Sequence, residues 1–251
     1  MKFFLRLIIL TTLSIFTLSY ANANNLPYCS LNSIWKHAAY KGVHSSYFKN
    51  IDKVINEGYC GIELDIIYDE KEKLIYISHN PVLSSETKKK YSLDNLDKII
   101  KDKNIYIWLD WKNTKISDLS KGLKIIKTSI KEYLSNENSL VFIETPYVTH
   151  NEFLNLINTN ERITTLNWLS YKSKKKNSVE KIKNFFRITR AWLYVCFFQD
   201  KWVSSHDIDI LKLCQGQRKV KSIFIFTINE TQKAEEAFSM GANVILSDSL
   251  K

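Results

Sequence analysis

Glycine and proline are scarce in this chain of 251 residues, which contains six glycines and three prolines. This scarcity excludes a collagen-like repeat and a low-complexity linker, and a hydrophobic content of 45% excludes an intrinsically disordered chain. Four cysteines are too few for a small scaffold held together by many disulfides. Beyond the N-terminal stretch, no segment has the roughly 18 consecutive apolar residues of a membrane-spanning helix. The composition indicates a folded globular protein with a sizeable core.

Motifs of several function classes are also absent. No G-x-G-x-x-G follows the first predicted strand and no phosphate-binding P-loop is present, which argues against a nucleotide cofactor. No C-x-x-C or Cys/His cluster indicates a zinc site. The formal net charge of +10 is compatible with phosphate esters, phospholipid head groups and peripheral contact with an anionic membrane surface. No nucleic-acid-reading motif accompanies this charge, so neither a nucleic acid nor a protein partner is predicted.

The first 23 residues have the pattern of a secretory signal peptide. Two basic residues precede an apolar stretch over residues 7–20, and Ala21-Asn22-Ala23 follows as an A-x-A cleavage pattern. Cleavage after Ala23 predicts an exported protein, periplasmic or secreted, with residues 24–251 as a single domain. A membrane anchor is the alternative interpretation, and the shortness of the apolar stretch argues against it.

The cysteines are then expected in an oxidising compartment, where an even number indicates disulfides. Cys29, Cys60, Cys196 and Cys214 allow three pairings into two disulfides. Cys29 and Cys60 both precede strand-like runs, so these two could meet at one end of a barrel. All three pairings stay open at this stage.

Short apolar runs alternate with amphipathic stretches, which predicts a parallel α/β architecture. The predicted strands are rich in Ile, Val, Phe, Tyr and Trp, and they are Ser33–His37, Cys60–Ile66, Leu74–Ser78, Ile105–Trp111, Leu140–Glu144, Ile163–Trp168, Arg190–Phe197, Ser222–Thr227 and Asn243–Ser247. The predicted helices have apolar residues at helical spacing, and they are Tyr47–Glu57, Ser92–Lys101, Ile116–Leu134, Thr149–Ile157, Val179–Phe185, Ser205–Leu213 and Thr231–Met240. About eight such repeats favour a TIM-type (β/α)8 barrel, whose active residues lie at the C-terminal ends of strands.

Three carboxylates fall at such strand ends. Glu63 and Asp65 are two residues apart on one predicted strand, so both side chains point to the same face. Asp110 ends another predicted strand. Carboxylates on one face repel each other unless a cation lies between them, and oxygen ligands suit Mg²⁺ or Ca²⁺. These residues therefore indicate a site for one divalent cation.

Two histidines and a lysine complete the set. His37 and His79 each end a short apolar run, and Lys112 lies two residues beyond Asp110. One imidazole can remove a proton from a nucleophile while the other protonates a leaving oxygen. An ammonium adds positive charge where negative charge develops. This inventory fits a metal-assisted attack on a phosphodiester.

The order of these residues resembles the glycerophosphodiester phosphodiesterase superfamily, in which a histidine motif precedes an I-E-x-D strand, a second histidine and an (E/D)-x-K strand. The segments that carry the resemblance are His37, Gly58–Asp65, Ser78–Asn80 and Leu109–Lys112. Near the C-terminus, Phe226–Asn229 is similar to the W-T-V-N strand of the family and Gly241–Asp248 to its closing strand. The similarity extends from about residue 35 to residue 250.

The resemblance implies a phospholipase C-like TIM barrel that hydrolyses a glycerophosphodiester or a phospholipid head group. It implies that His37 and His79 are an acid–base pair. It also implies that one Mg²⁺ or Ca²⁺ ion is bound by Glu63, Asp65 and Asp110, and that Lys112 contacts the phosphate. Three further residues, Glu144, Trp168 and Asn229, end later predicted strands and are expected to line the substrate pocket.

The chain departs from the family at the phosphate-binding positions. His37-Ala38-Ala39 stands where the family has H-R-G, so an arginine that could bind phosphate through two hydrogen bonds is missing. His44-Ser45-Ser46-Tyr47 lacks the carboxylate of the P-E-N-T segment, and Asn80 replaces an aspartate. The residue order is also similar to the sphingomyelinase D branch, whose disulfide-loop motif is missing here. A catalytically silent barrel that binds an anionic ligand is the alternative function.

Overall fold

The computed structural model describes most of the predicted domain, in the ranges 33–41, 46–145, 147–157, 162–169, 178–197, 202–216 and 218–250. The predicted signal peptide, Cys29 and His44 lie outside these ranges. Among the helices of the described ranges, none is both long and apolar enough to cross a bilayer.

Eight parallel strands close into a barrel, which confirms the predicted TIM-type architecture. With one additional strand outside the ring, the described residues contain nine strands. They are β1 (Ser33–Lys36), β2 (Gly61–Asp69), β3 (Leu74–Ile77), β4 (Tyr106–Trp111), β5 (Val141–Thr145), β6 (Ile163–Trp168), β7 (Trp202–Ser205), β8 (Ser222–Ile225) and β9 (Val244–Ser247). Strand β1 pairs in parallel with both β9 and β2, which closes the ring. The remaining strand, β3, runs antiparallel to β2 and lies outside the ring.

Helices connect these strands and cover the outside of the barrel. They are α1 (Tyr47–Asn56), α2 (Ser85–Lys90), α3 (Leu93–Ile100), α4 (Leu119–Ser129), α5 (Lys131–Ser135), α6 (Tyr147–Leu156), α7 (Ser178–Phe197) and α8 (Thr231–Ser239), with 3₁₀ segments at Ile116–Asp118 and Ile208–Gly216. Gly241, with a φ of +90°, follows the last helix in the left-handed conformation that commonly ends helices. The α2 helix falls in a stretch for which no element was predicted, and the Ser84 hydroxyl caps it by accepting a hydrogen bond from the Thr87 amide.

The predicted strand Arg190–Phe197 is wrong, because these residues form the last two turns of α7. A short apolar run does not distinguish a strand from a helix by periodicity alone. Here burial follows a helical spacing, since Ala191, Tyr194 and Val195 are buried while Trp192 is exposed. The barrel strand between β6 and β8 is Trp202–Ser205 instead, so the helix predicted from Ser205 begins only as the later 3₁₀ segment.

The predicted long helix Ile116–Leu134 is also interrupted. It consists of a 3₁₀ turn, α4 and α5, with a break at Ile130. Ile130 has a φ of −115° and a ψ of 34°, which lies outside the helical region.

Aromatic side chains fill the barrel below its C-terminal mouth. Trp35, Phe142, Trp202 and Phe224 are buried and contact one another with ring centroids 4.9–6.0 Å apart. Position 61 requires glycine because a Cβ atom there would lie 2.1 Å from the Trp35 ring. A solid lower layer of this kind leaves the upper end of the barrel for the polar side chains.

One disulfide lies within the described residues. Cys196, at the end of α7, is bonded to Cys214 in the second 3₁₀ segment. Cys29 is outside the described residues, so the Cys29–Cys60 pairing stays a prediction.

Candidate functional site

Strand register brings the acidic residues together at the mouth of the barrel. On β2, Ile62, Leu64 and Ile66 pack in the core outside the ring, so the alternating residues Glu63 and Asp65 point into the barrel. Parallel pairing then sets Asp65 beside Asp110 on β4, and Asp110 beside Glu144 on β5. Three neighbouring strands thus deliver four carboxyl groups to one side of the mouth.

Three of these carboxylates form a compact cluster. One oxygen each from Glu63, Asp65 and Asp110 lies within 4.8 Å of the other two. Glu63 and Asp65 are buried, and Asp110 is half-buried. The Lys112 ammonium contacts Asp65 Oδ1 at 2.6 Å and also Asp110 Oδ2. If all three carboxylates are ionised, the one positive charge of Lys112 leaves the cluster with excess negative charge.

The electrostatics of the cluster follow from burial and mutual repulsion. Burial raises the pKa of Glu63 well above its usual range, and the charges of Asp65 and Asp110 raise it further. Burial also raises the pKa of Asp110, against the opposing effect of Lys112. Burial acts in the same direction on Asp65, but hydrogen bonds from Lys112 and Tyr40 outweigh it and lower the pKa of Asp65. The group that has the most hydrogen-bond donors is thus the one that holds its charge.

The donor set fits a hard divalent cation. Bonds of about 2.3–2.6 Å to Ca²⁺ allow two oxygens on opposite sides of the ion to lie about 4.6–5.2 Å apart. The 4.8 Å limit on the separations of the three carboxylate oxygens is within that span. The shorter bonds of Mg²⁺ require the oxygens to be within about 4.2 Å of one another, hence a tighter approach. The structure therefore contains three carboxylates that can hold one metal ion, as the sequence predicts.

His37 lies beside this cluster on the turn that follows β1. Its Nδ1 atom is 2.9 Å from Asp248 Oδ1, and its Nε2 atom is 3.9 Å from Glu63 Oε2. Asp248 also accepts a hydrogen bond from Lys41 at 3.0 Å. Because Nδ1 is engaged by the carboxylate, Nε2 is the nitrogen that faces the acidic cluster and can exchange a proton.

Asp248 was not assigned a role from the sequence, although it ends the closing strand motif. Burial raises its pKa, but the hydrogen bonds from His37 and Lys41 prevail and hold the pKa of Asp248 at about 2. Asn229 supports this residue by accepting a hydrogen bond from the Asp248 amide at 2.8 Å. Asn229 is exposed and does not line the central cavity, so the structure places it behind Asp248 rather than in the pocket expected for it.

His79, which follows strand β3, also lies beside the cluster. Its Nδ1 atom lies 2.9 Å from Asp65 Oδ2, and most of its side chain is exposed. The buried Tyr40 hydroxyl donates to the same Asp65 oxygen. Both histidines predicted as the acid–base pair are thus held at Nδ1 by a carboxylate, with Nε2 available.

A cavity of about 380 Å³ opens above the cluster. Its lining includes most of the predicted site residues and a set of aromatic rings, namely His37, Glu63, Asp110, Lys112, Glu144, Trp168, Trp108, Trp111, His206 and Phe226. Glu144 accepts a hydrogen bond from the Ser204 hydroxyl at 2.6 Å. Burial and the charge of Asp110 raise the pKa of Glu144 well above its usual range, which favours a neutral acid there.

His206 is a cavity residue that the sequence did not reveal. Nothing in its sequence neighbourhood indicates a pocket. In the structure its ring lies 4.0 Å from the Phe226 ring and 6.2 Å from the Trp168 ring, measured between centroids.

The turn after His37 has Ala38 at the position where the resembled family has an arginine, and this turn contacts Glu63. Ala38 adopts a left-handed φ of +43°, an unfavourable conformation for a residue with a Cβ atom. Its backbone N–H consequently donates to Glu63 Oε2 at 2.7 Å. The Ala39 N–H donates to the Glu63 carbonyl at 3.0 Å. The chain thus uses this turn to fix Glu63 and not to present a side chain to phosphate.

Comparison with known proteins identifies solved structures of similar fold. No family model matches the chain, and no curated protein matches its sequence. A phosphodiesterase from Oleispira antarctica, solved with the product sn-glycerol-3-phosphate, has a TM-score of 0.58 at 12% identity and covers 86% of this chain and 92% of its own. A glycerophosphodiester phosphodiesterase from Parabacteroides distasonis has a TM-score of 0.58 at 12% identity, with 88% and 94% coverage.

A third solved structure broadens the comparison. A Ca²⁺-dependent phosphatidylinositol-specific phospholipase C from Streptomyces antibioticus has a TM-score of 0.51 at 9% identity and covers 88% of this chain and 95% of its own. The fold is therefore the barrel shared with phospholipase C-like phosphodiesterases, which confirms the resemblance at the level of fold.

Proposed function

We propose that this protein is a metal-dependent phosphodiester hydrolase that acts on glycerophosphodiesters or phospholipid head groups. The observation that carries the proposal is the cluster of Glu63, Asp65 and Asp110 at the barrel mouth, with carboxylate-held histidines beside it. The fold shared with phosphodiesterases, one of them solved with sn-glycerol-3-phosphate, supports the same reaction class.

The residues of the chain divide the work of the reaction. Glu63, Asp65 and Asp110 would hold one Mg²⁺ or Ca²⁺ ion, which when bound neutralises a phosphate oxygen. The Lys112 ammonium lies at the cluster and adds positive charge where the phosphorus centre gains negative charge. The aromatic rings and Glu144 line the cavity on the side that would accommodate the organic group.

His37 and His79 would transfer the protons. Each donates Nδ1–H to an aspartate, so Nε2 is the basic nitrogen in the neutral imidazole and the acidic N–H in the imidazolium. One residue removes the proton of the attacking hydroxyl, and the other protonates the departing alkoxide oxygen. Asp248 orients the first ring and Asp65 the second.

A ³¹P NMR time course tests this proposal and identifies the bond that breaks. The purified protein is incubated with glycerophosphocholine, glycerophosphoethanolamine, a lysophospholipid and sphingomyelin. We expect new monoester or cyclic-phosphate resonances with the wild type and a loss of at least about 10²-fold in rate for His37→Ala and His79→Ala. Turnover by either variant at the wild-type rate would refute the assigned roles.

A non-catalytic barrel that binds an anionic ligand is the second candidate. Two observations favour it: Ala38 occupies the position of the family arginine, and Lys112 already compensates part of the carboxylate charge. It predicts an unchanged phosphorus spectrum together with retention of inorganic phosphate by the folded protein. The same NMR samples therefore distinguish the two candidates.

Export after cleavage near Ala23 is also our proposal. The Cys196–Cys214 disulfide supports it, because disulfides persist mainly in oxidising compartments. Mass spectrometry of the protein from periplasm and medium would give the mature N-terminus and the compartment. An intact first methionine in cytoplasmic protein would contradict the proposal.

A further inference from the structure

Exposed apolar side chains are concentrated on α7. Among the large apolar side chains that are exposed in the described residues, five of eight lie on this helix. They form what is here termed the aromatic stripe, which consists of Phe185, Phe186, Trp192, Leu193 and Phe197. Each is 43–66% exposed. Isolated exposed apolar residues are common, but a contiguous set usually marks an interaction surface.

The aromatic stripe follows one face of the helix. At about 100° per residue its five members span an arc of about 140° and a length of about 18 Å. The buried residues Ala191, Tyr194 and Val195 lie on the opposite face and pack in the hydrophobic cluster between the helices and the outer side of the barrel. The helix therefore has two apolar faces, one that packs against the protein and one that is directed to solvent.

The helix is fixed where the aromatic stripe ends. Cys196 is joined to Cys214 by the disulfide, and the Val195 carbonyl accepts a hydrogen bond from the Lys219 N–H at 2.9 Å. The Trp192 and Phe197 rings also contact each other, with centroids 5.0 Å apart. These contacts hold the stripe as a preformed surface.

The charge around the aromatic stripe indicates its partner. From Lys183 to Phe197 the helix carries three basic residues and no acidic residue. On the helical wheel, Lys183 and Arg190 border the apolar arc. A second copy of this chain docked on the stripe would bring like charges together, whereas anionic lipid head groups complement them. Aromatic rings flanked by basic side chains are typical of helices that lie in the plane of a membrane interface.

We propose that the aromatic stripe is the docking surface of this protein for an anionic phospholipid bilayer, with α7 parallel to the membrane plane. The stripe is separate from the carboxylate cluster, so this binding does not depend on catalysis. It would hold the barrel at the surface where phospholipid head groups are found.

Vesicle cosedimentation tests the proposal. The chain from Asn24 onward, which contains the whole closed barrel, is mixed with vesicles of phosphatidylglycerol and phosphatidylcholine or of phosphatidylcholine alone. We expect binding to the anionic vesicles that weakens with salt, and a partition coefficient about tenfold or more lower for the double variant Phe185→Ser/Phe186→Ser. Val82→Ser, which removes an exposed apolar side chain elsewhere, is the matched control and should bind as the wild type does.

Circular dichroism and the melting temperature establish that the variants are folded. Wild-type binding by the double variant, or no binding by the wild type, would overturn the proposal. Sedimentation velocity adds a further contrary outcome, a wild-type dimer that the double variant converts to monomer without any vesicle binding. That result would assign the aromatic stripe to a second copy of the chain.

Discussion

Replacing Glu63 by glutamine should stabilise the metal-free protein while weakening the proposed metal site. Glu63 has an oxygen within 4.8 Å of Asp65 and Asp110 oxygens, and two unit charges at that distance repel by about 3.5 kcal/mol at an effective dielectric constant of about 20. Lys112 offsets the repulsion from one neighbour. Glutamine keeps an oxygen for the Ala38 N–H, so we expect a gain of about 1–3 kcal/mol in the free energy of unfolding at pH 7.

Divalent ions should reverse this order of stability. An ion present at 100 times its Kd adds about 2.7 kcal/mol to the wild type, which corresponds to a rise of about 5–11 °C in the melting temperature. The Glu63→Gln variant replaces a charged ligand by a neutral amide oxygen, so it should bind the ion more weakly and show a smaller rise. Differential scanning fluorimetry in chelator and in Ca²⁺ or Mg²⁺ gives both comparisons, with the exposed Glu86→Gln as the matched control.

The stability of the metal-free wild type and of Glu63→Gln should depend differently on pH. Because the folded-state pKa of Glu63 is raised, the metal-free wild type loses stability as the pH increases from about 4.5 through that pKa. The glutamine variant lacks this loss, so the two proteins should converge at low pH. A variant that is less stable than the metal-free wild type at pH 7, combined with no metal-induced shift in the wild type, would refute this reasoning.

Three further predictions concern the groups around the cluster. Asp248→Asn should lower kcat about 10–100-fold. In a double-mutant cycle, the variant with both Asp248→Asn and His37→Ala should have the same kcat as His37→Ala alone, and additive losses of kcat would contradict the orienting role. Because the pKa of Asp248 is held at about 2, its stabilising effect is present above pH 4 and lost as the pH falls towards 2, so urea unfolding of Asp248→Asn should show a shallower acid limb than the wild type. Lys112→Met leaves Asp65 and Asp110 without their counter-charge, so chemical denaturation in chelator should show a loss of about 3–5 kcal/mol that Ca²⁺ partly restores.

The grouping of the three carboxylates was predictable because it depends on short-range spacing. The separation of two between Glu63 and Asp65 fixes a common face on any strand, and the strand-end position of Asp110 fixes the edge of the barrel. The closed parallel barrel followed from the alternation of elements. No long-range information was needed for these features.

Other features depend on contacts between distant segments. Asp248 reaches His37 across 211 residues, and the Tyr40 hydroxyl reaches Asp65 only through the turn geometry around Ala38. The last two turns of α7 were predicted as a strand. Because this helix has a second apolar face, the segment is as continuously hydrophobic as a buried strand. Local patterns therefore indicated the residues of the candidate site, while tertiary packing decided which groups hold them in position.

The most direct test of the central claim is a metal titration of the chelator-treated protein during turnover. Ca²⁺ or Mg²⁺ is added in steps while ³¹P NMR follows glycerophosphocholine, and bound ion per chain is measured by equilibrium dialysis. We expect a hydrolysis rate that rises with occupancy and levels off at one ion per chain. Full turnover in excess chelator, or a rate unrelated to occupancy, would contradict it.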